Sequence, residues 1–389
     1  MDHRITPEAR YVEEVSSPVN DPMVQLLTPE GKFAPSPSAE EFLPFFEKLT
    51  EADFRKFYTD MVTVRRYDTE ATNLQRQGQL ALWVPSHGQE GAQVGSAYAT
   101  KDQDHIFPAY REHAIAHIRG VDLIELIRQF KGITHGGWNP FDPKHKNFHI
   151  YTLVIGSHAL HSTGYAMGIS LDGKTNTGKP DQDEAVIVYF GDGATSQGDV
   201  SEAFVFAASY QTPQVFFVQN NHWAISVPVS VQARVPLYLR GTGFGIPGTQ
   251  IDGNDVFASY AVTAKHLDDA RTGKGPSLIE AHTYRIGAHT SSDDPTKYRT
   301  DEELQGWIKK DPIARLETYL RASGAEEKFF ASVHEQAADF AADIRRRAVD
   351  LIAPGSESIF KSVYSEPHPV MEEQRAWLVA YDASFEEEV

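Results

Sequence analysis

Residues 186 to 226 read VIVYFGDGATSQGDVSEAFVFAASYQTPQVFFVQNNHWAIS. One acid, Asp192, stands between Gly191 and Gly193 at the end of an apolar run, and two amides, Asn220 and Asn221, end a second run. A carboxylate, a side-chain amide oxygen and a nearby carbonyl make an all-oxygen donor set of low charge. Mg²⁺ takes such sets, keeps octahedral geometry and shares its shell with phosphate oxygens. The two glycines keep side chains clear and permit unusual backbone angles. The N–H groups of Gly193 and Ala194 precede a helical stretch, where backbone donors meet anions. These residue types point to a magnesium-bridged diphosphate. Two ordinary turns are the competing reading, because Gly-Asp-Gly and Asn-Asn are frequent turn formers.

Such a site needs elements that bring the acid and the amides together. AVIVYF, QVFFVQ and PSLIEAHTYR are apolar runs of strand length. Between the first two lies DVSEAFVFAASYQ, a helix with Asp199 as N-cap and Glu202 three residues on. Asn254 is expected to cap the next helix, DVFASYAVTAKHLDDARTG. Strands without polar alternation, separated by helices, indicate a parallel sheet covered on both faces. The fold class is therefore α/β, a doubly wound, mostly parallel sheet with helices on both faces. Ligands of such sheets bind beyond the carboxyl ends of the strands, which is where Asp192 and Asn221 fall.

Upstream, Thr50 and Asp53 form a capping pattern before Phe54, Phe57, Tyr58, Met61 and Val62 at helical spacing. GQEGAQVGSAYA, PAYREHAIAHIRG and DLIELIRQFKG read as further helices. The expected organisation is an arm over 1–45, the ligand-binding α/β domain over 46–320, and a helical segment over 321–389 packing on that domain.

Two familiar patterns fail on context. GISLDGKT, from Gly168, matches the phosphate-loop spacing but follows a small-residue helix and runs into a turn, the reverse of the strand-then-helix order needed. GFGIPG, from Gly243, matches the dinucleotide spacing, yet QIDGND after it reads as another turn where a helix is required.

Composition narrows the classes further. The chain has 389 residues, no cysteine and a formal net charge of −18. Disulfides, thiolate metal sites and cysteine nucleophiles are excluded. The charge argues against a nucleic-acid partner. The polar, acidic start is unlike a secretory signal, and no apolar run approaches membrane-spanning length. A cytoplasmic location is expected. His135, His145 and His161 show no metal-ligand spacing.

The run FGDGATSQGD…QNNHWAIS resembles the alpha subunit of the thiamine-diphosphate-dependent 2-oxo acid dehydrogenases, the decarboxylating component. The likeness extends through SHGQEGAQVGSAYA, FPAYREHAIAHIRG, GFGIPGTQIDGNDVFASY and GPSLIEAHTYRIGAHTSSDDPTKYR, over roughly residues 50 to 320. It implies thiamine diphosphate and Mg²⁺ as cofactors. It implies that Asp192, the Asn221 side chain and the Trp223 carbonyl ligate the metal. Tyr110 and Arg111, in a helix carrying YRE, would hold the diphosphate, and Gly191, Gly193 and Ala194 would lie against it. Leu153 and Ile155 would line the aminopyrimidine slot through backbone contacts, with the Ile155 side chain as a wedge beneath the cofactor. His289 would be the active-site histidine, delivering protons near the diphosphate.

The sequence departs from the family at Leu153, Val154, His158 and Leu160, at Thr290 where mitochondrial relatives carry a phosphorylatable serine, and at Gln219 where branched-chain relatives often have arginine. The reaction implied is oxidative decarboxylation of a 2-oxo acid with reductive acylation of lipoyl groups on an acyltransferase partner. Branched-chain acids lead, with pyruvate and acetoin as alternatives and a catalytically dead scaffold subunit as the non-enzyme reading. A beta subunit supplying the activating glutamate implies an alpha2-beta2 heterotetramer. The loop from Ile286 to Arg299, poor in apolar anchors, is expected to order only with cofactor.

Overall fold

The computed structural model describes residues 23–133, 137–361 and 363–385. Its centre is a five-stranded sheet, parallel throughout, in the order β1-β2-β3-β7-β6. The strands are β1 (His105–Phe107), β2 (Val186–Gly191), β3 (Gln214–Asn220), β6 (Gly248–Asp252) and β7 (Ser277–His282). A separate two-residue ribbon pairs β4 (Trp223–Ala224) with β5 (Val227–Pro228).

The apolar runs are explained by what covers them. Ile187, Tyr189, Val215, Phe217, Ile279 and Ala281 belong to one core cluster, with Val186, Val188, Phe190, Phe216 and Val218 in the other. Alternate residues of a strand face opposite sides, so both faces must be apolar when both are roofed. The first face carries α2 (Glu51–Arg76), α3 (Glu90–Tyr98) and α10 (Val256–Arg271). The second carries α6 (Ser157–Leu171) and α7 (Gly198–Tyr210). The doubly wound fold follows.

Helix α2 starts at the expected capping box, in which the Thr50 N–H donates to the Asp53 carboxylate at 2.8 Å. Its buried residues meet α13 (Glu327–Val349), whose Phe330, Val333, Ala337, Ala341, Ile344 and Ala348 form a stripe at helical spacing. Leu26 and Leu27 of the arm are fully buried. Val24 bridges Ile251 in parallel and closes the β6 edge, with its N–H on the Gln250 carbonyl at 2.9 Å. At the opposite edge Phe148 bridges Ile106 of β1. Residues 1–22 of the expected arm lie outside the described residues, as does His135. His145 is buried on the Asn139 carbonyl, and His161 is exposed.

Several expectations change. Asp199 is not the N-cap of α7. Gln197 is, in an extended conformation, and Asp199 sits in the first turn, where a negative charge suits the helix dipole. Asp255 rather than Asn254 caps α10, because Asn254 is engaged by Thr283 and the Lys310 carbonyl. QID is not a turn: it lies in β6, so GFGIPG leads into a strand. Tyr110 and Arg111 are not helical. Helix α4 covers only His113–Ile118, because Gln93 takes the groups that would extend it: it donates to the Arg111 carbonyl and accepts from the Ala114 N–H. The next helix, α5, spans Ile124–Phe130. The GISLDGKT segment runs from the end of α6 into a turn, so no phosphate loop exists there. Among the described residues no helix is long and apolar enough to cross a membrane.

Asp255 does two jobs. One carboxylate oxygen accepts from Phe257 and Ala258, capping α10, and the other accepts from Leu26 and Leu27, both at 2.6 Å. Asp255→Ala removes a cap and orphans two buried amides. It should cost about 3 kcal/mol, summing a cap of ~1 and amides of ~1 each at the least. Chemical denaturation measures this, and Asp255→Asn should lose less because one acceptor remains.

Candidate functional site

A cavity of ≈ 210 Å³, partly open to solvent, lies over the carboxyl ends of β2 and β3. Gly191 pairs with Gln219 in the parallel register, which sets Asp192 level with Asn220. Asp192 opens a 3-10 turn, Asp192–Ser196, closed by the Thr195 hydroxyl on the Asp192 carbonyl. A Cβ on Gly193 would stand 2.8 Å from Ala224 Cβ, so only glycine lets the turn pass under β4.

Asp192 is 1% exposed. Burial pushes its carboxyl up to about 6, against the pull of the Gln232 amide and the Arg285 charge. Its hydrogen-bond partner is Gln232 Nε2, 3.1 Å from Oδ2. Asn221 Nδ2 donates to Gln89 Oε1 at 3.3 Å, and its Oδ1 accepts from the Trp223 N–H. His222 between them has φ +70°, a left-handed residue that doubles the chain back. Asn220 points elsewhere, onto Glu280 at 2.7 Å. Of the amide pair, the cavity therefore receives the second.

The opposite wall is cationic. Arg111, buried, donates to the Pro85 carbonyl and to the His289 carbonyl at 3.1 Å, with His289 Nδ1 at 3.2 Å. Tyr110 packs beside both, its ring centroid 6.4 Å from that of His289. Arg285 was missed in the sequence. It follows β7, is 1% exposed, and donates to the carbonyls of Trp223 at 3.0 Å and Ile225 at 2.7 Å. Both guanidiniums can only donate, so His289 Nδ1 is an acceptor and the neutral ring carries its proton on Nε2. Burial, then Arg111 and Arg285, push His289 down to about 3.

The loop carrying His289 is held by polar anchors. Arg299 donates to the carbonyls of Arg285, Ile286 and Gly287, and Asp293 accepts from the His289 N–H at 2.9 Å and from the Tyr298 hydroxyl. Ser291 exchanges hydrogen bonds with the Trp83 backbone. The anchors of this loop are thus polar rather than apolar.

Ile155 lines the cavity together with Gly191, Gly193 and Ala194. Leu153 does not: it is 58% exposed and lies outside the lining. The residues Gln89, Glu112, Ile225 and Arg285 were not singled out from the sequence, and all four line the cavity. The YRE triplet carries the clue to Glu112, an acid beside a buried arginine. Its carboxylate accepts from Gln219 Nε2 at 2.6 Å and from the Arg111 N–H, and burial pushes it up to about 7.

Among the described residues no group of three His, Cys, Asp or Glu side chains could hold a metal. A cation here must use one carboxylate with amide and carbonyl oxygens. The residues present fit that demand. Asp192 is a buried acid with no cationic hydrogen-bond partner, beside the Asn221 amide and the Trp223 carbonyl, and the facing wall of Arg111 and Arg285 suits an anion.

Residues 58–342 match the model of the family described as "Dehydrogenase E1 component". The 3-methyl-2-oxobutanoate dehydrogenase subunit alpha of Mycobacterium tuberculosis is 41% identical over 359 residues, covering 92% of this chain and 93% of that protein. The pyruvate dehydrogenase E1 component subunit alpha of Acholeplasma laidlawii is 38% identical, covering 84% and 93%. The corresponding Staphylococcus aureus subunit is 37% identical, covering 83% and 84%. The chain belongs to the dehydrogenase E1 component family, among its alpha subunits.

Proposed function

We propose that this chain is the alpha subunit of a 2-oxo acid dehydrogenase that decarboxylates branched-chain 2-oxo acids and passes the acyl group to lipoyl groups of an acyltransferase core. One observation carries the reading: Asp192, Asn221, the Trp223 carbonyl, Arg111 and His289 line a single cavity. The branched-chain preference rests on the mycobacterial relative, and pyruvate is the second reading because relatives named for it reach 38% identity. Asp192, Asn221, Arg111 and His289, all intact and of distinct chemistry, speak against a dead scaffold.

Thiamine diphosphate, when bound, supplies the electron sink that decarboxylation requires. Asp192, Asn221 and the Trp223 carbonyl would hold Mg²⁺ against the diphosphate, and Arg111 would meet phosphate oxygens with its planar fork. Ile155 would bear on the cofactor from below. His289 Nε2–H would present a proton to the oxygen of the reacting carbonyl.

The described residues hold one parallel α/β sheet, and the relatives are named as alpha subunits, which supports a beta partner in an alpha2-beta2 assembly. Co-expression with that partner and CO₂ release from a panel of branched-chain acids, pyruvate and acetoin tests the substrate. The chain purified alone should release no CO₂ from any of them, with or without cofactor. Turnover by the lone chain would remove the two-subunit reading.

A further inference from the structure

The short helix α8 (Val229–Gln232) follows β5 and lies against the Asp192 turn. Its last residue, Gln232, is fixed at three points. Its Nε2 donates to Asp192 Oδ2 at 3.1 Å, its Oε1 faces the Ser196 hydroxyl at 3.4 Å, and its carbonyl accepts from Arg240 Nη2 at 3.3 Å. Arg240 also donates to the Thr195 carbonyl, which ties α8 to the same turn. A carboxylate oxygen needs a donor, so the amide orientation is set by chemistry.

Tying Oδ2 has a geometric result. An aspartate with one oxygen held by a donor favours one-oxygen ligation, because turning both oxygens onto a cation would break or bend that hydrogen bond. Mg²⁺ demands six ligands in near-ideal octahedral geometry, which one-oxygen carboxylates satisfy. Ca²⁺ takes six to eight oxygens and commonly uses both oxygens of a carboxylate.

We infer that Gln232 is a positioning residue that sets cation specificity: by holding Oδ2 of Asp192 it restricts that carboxylate to one-oxygen ligation and favours Mg²⁺ over Ca²⁺. The inference rests on the reading of Asp192 as a metal ligand.

The test uses the chain assembled with its beta partner and reads binding of thiamine diphosphate by calorimetry across Mg²⁺ and Ca²⁺ titrations. Gln232→Ala should raise the half-saturating Mg²⁺ concentration about 10-fold or more, the usual effect of losing a group that orients a ligand. Half-saturating Ca²⁺ should stay level or fall. Gln232→Glu keeps the length but cannot donate, and it should move the Mg²⁺/Ca²⁺ ratio the same way. A merely structural role would shift both cations by the same factor, and that result, or no change in either variant, overturns the inference. Asp192→Asn separates the two levels. If it keeps the normal cation dependence, the ligand assignment fails and takes the inference with it. If it loses that dependence while both Gln232 variants behave as the parent, only the role of Gln232 falls.

Discussion

Asp192→Ala is expected to abolish cation-dependent binding of thiamine diphosphate and, with it, all turnover of the assembled enzyme. The acid supplies the only carboxylate of the proposed trio, and the Asn221 amide and Trp223 carbonyl carry no formal charge to replace it. The fold should survive. Asp192 is buried, and its side chain accepts from the Gln232 amide rather than from a cationic group. Calorimetry of cofactor binding in Mg²⁺, together with an unchanged elution volume of the assembly, checks both halves. Affinity equal to the parent's would remove Asp192 from the metal site.

The second large effect is at His289. His289→Ala should lower turnover by ~100-fold, the usual reach of a positioned acid–base group. Cofactor affinity should change little, since Arg111 and the metal ligands remain. Steady-state turnover and a binding isotherm on the same preparation separate the two. A pH signature accompanies the loss. The folded protein holds this ring near 3, whereas an unfolded histidine titrates near 6.5. The unfolded chain therefore binds a proton that the fold refuses, and this withdraws stability as pH falls below about 6.5. By pH 5 the term reaches at most about 2 kcal/mol. The variant should escape it, so any stability gap between parent and His289→Ala at pH 8 should move in the variant's favour at pH 5.

The sequence disclosed the parts of this molecule whose physics is local or periodic. β2, β3 and β7 stood out because strands roofed on both faces are apolar at every position. β6 did not, because its first three residues are only half-buried at the sheet edge and its sequence reads as a turn. β1 is three residues long, too short for a pattern. The burial of Asp192 was hidden because the cover comes from α8, forty residues later. Arg285 was hidden for a related reason: two of its partners are the carbonyls of residues 223 and 225, and no side-chain spacing encodes a carbonyl. Family resemblance carried Asp192, Asn221 and His289 to the cavity wall. Leu153 lies where the sequence departs from its relatives, with an exposed side chain outside the cavity lining.

The two closed rims of the sheet bear on how copies of this chain behave in crowded solution. A bare parallel edge is a template for strand addition and, from there, for aggregates. Here Val24 blocks one rim and Phe148 the other, both with backbone of the same chain. A neighbouring strand that approaches either bridge meets backbone already paired. Truncation past Leu27 would uncover β6 and present its free donors and acceptors to any extended chain in solution.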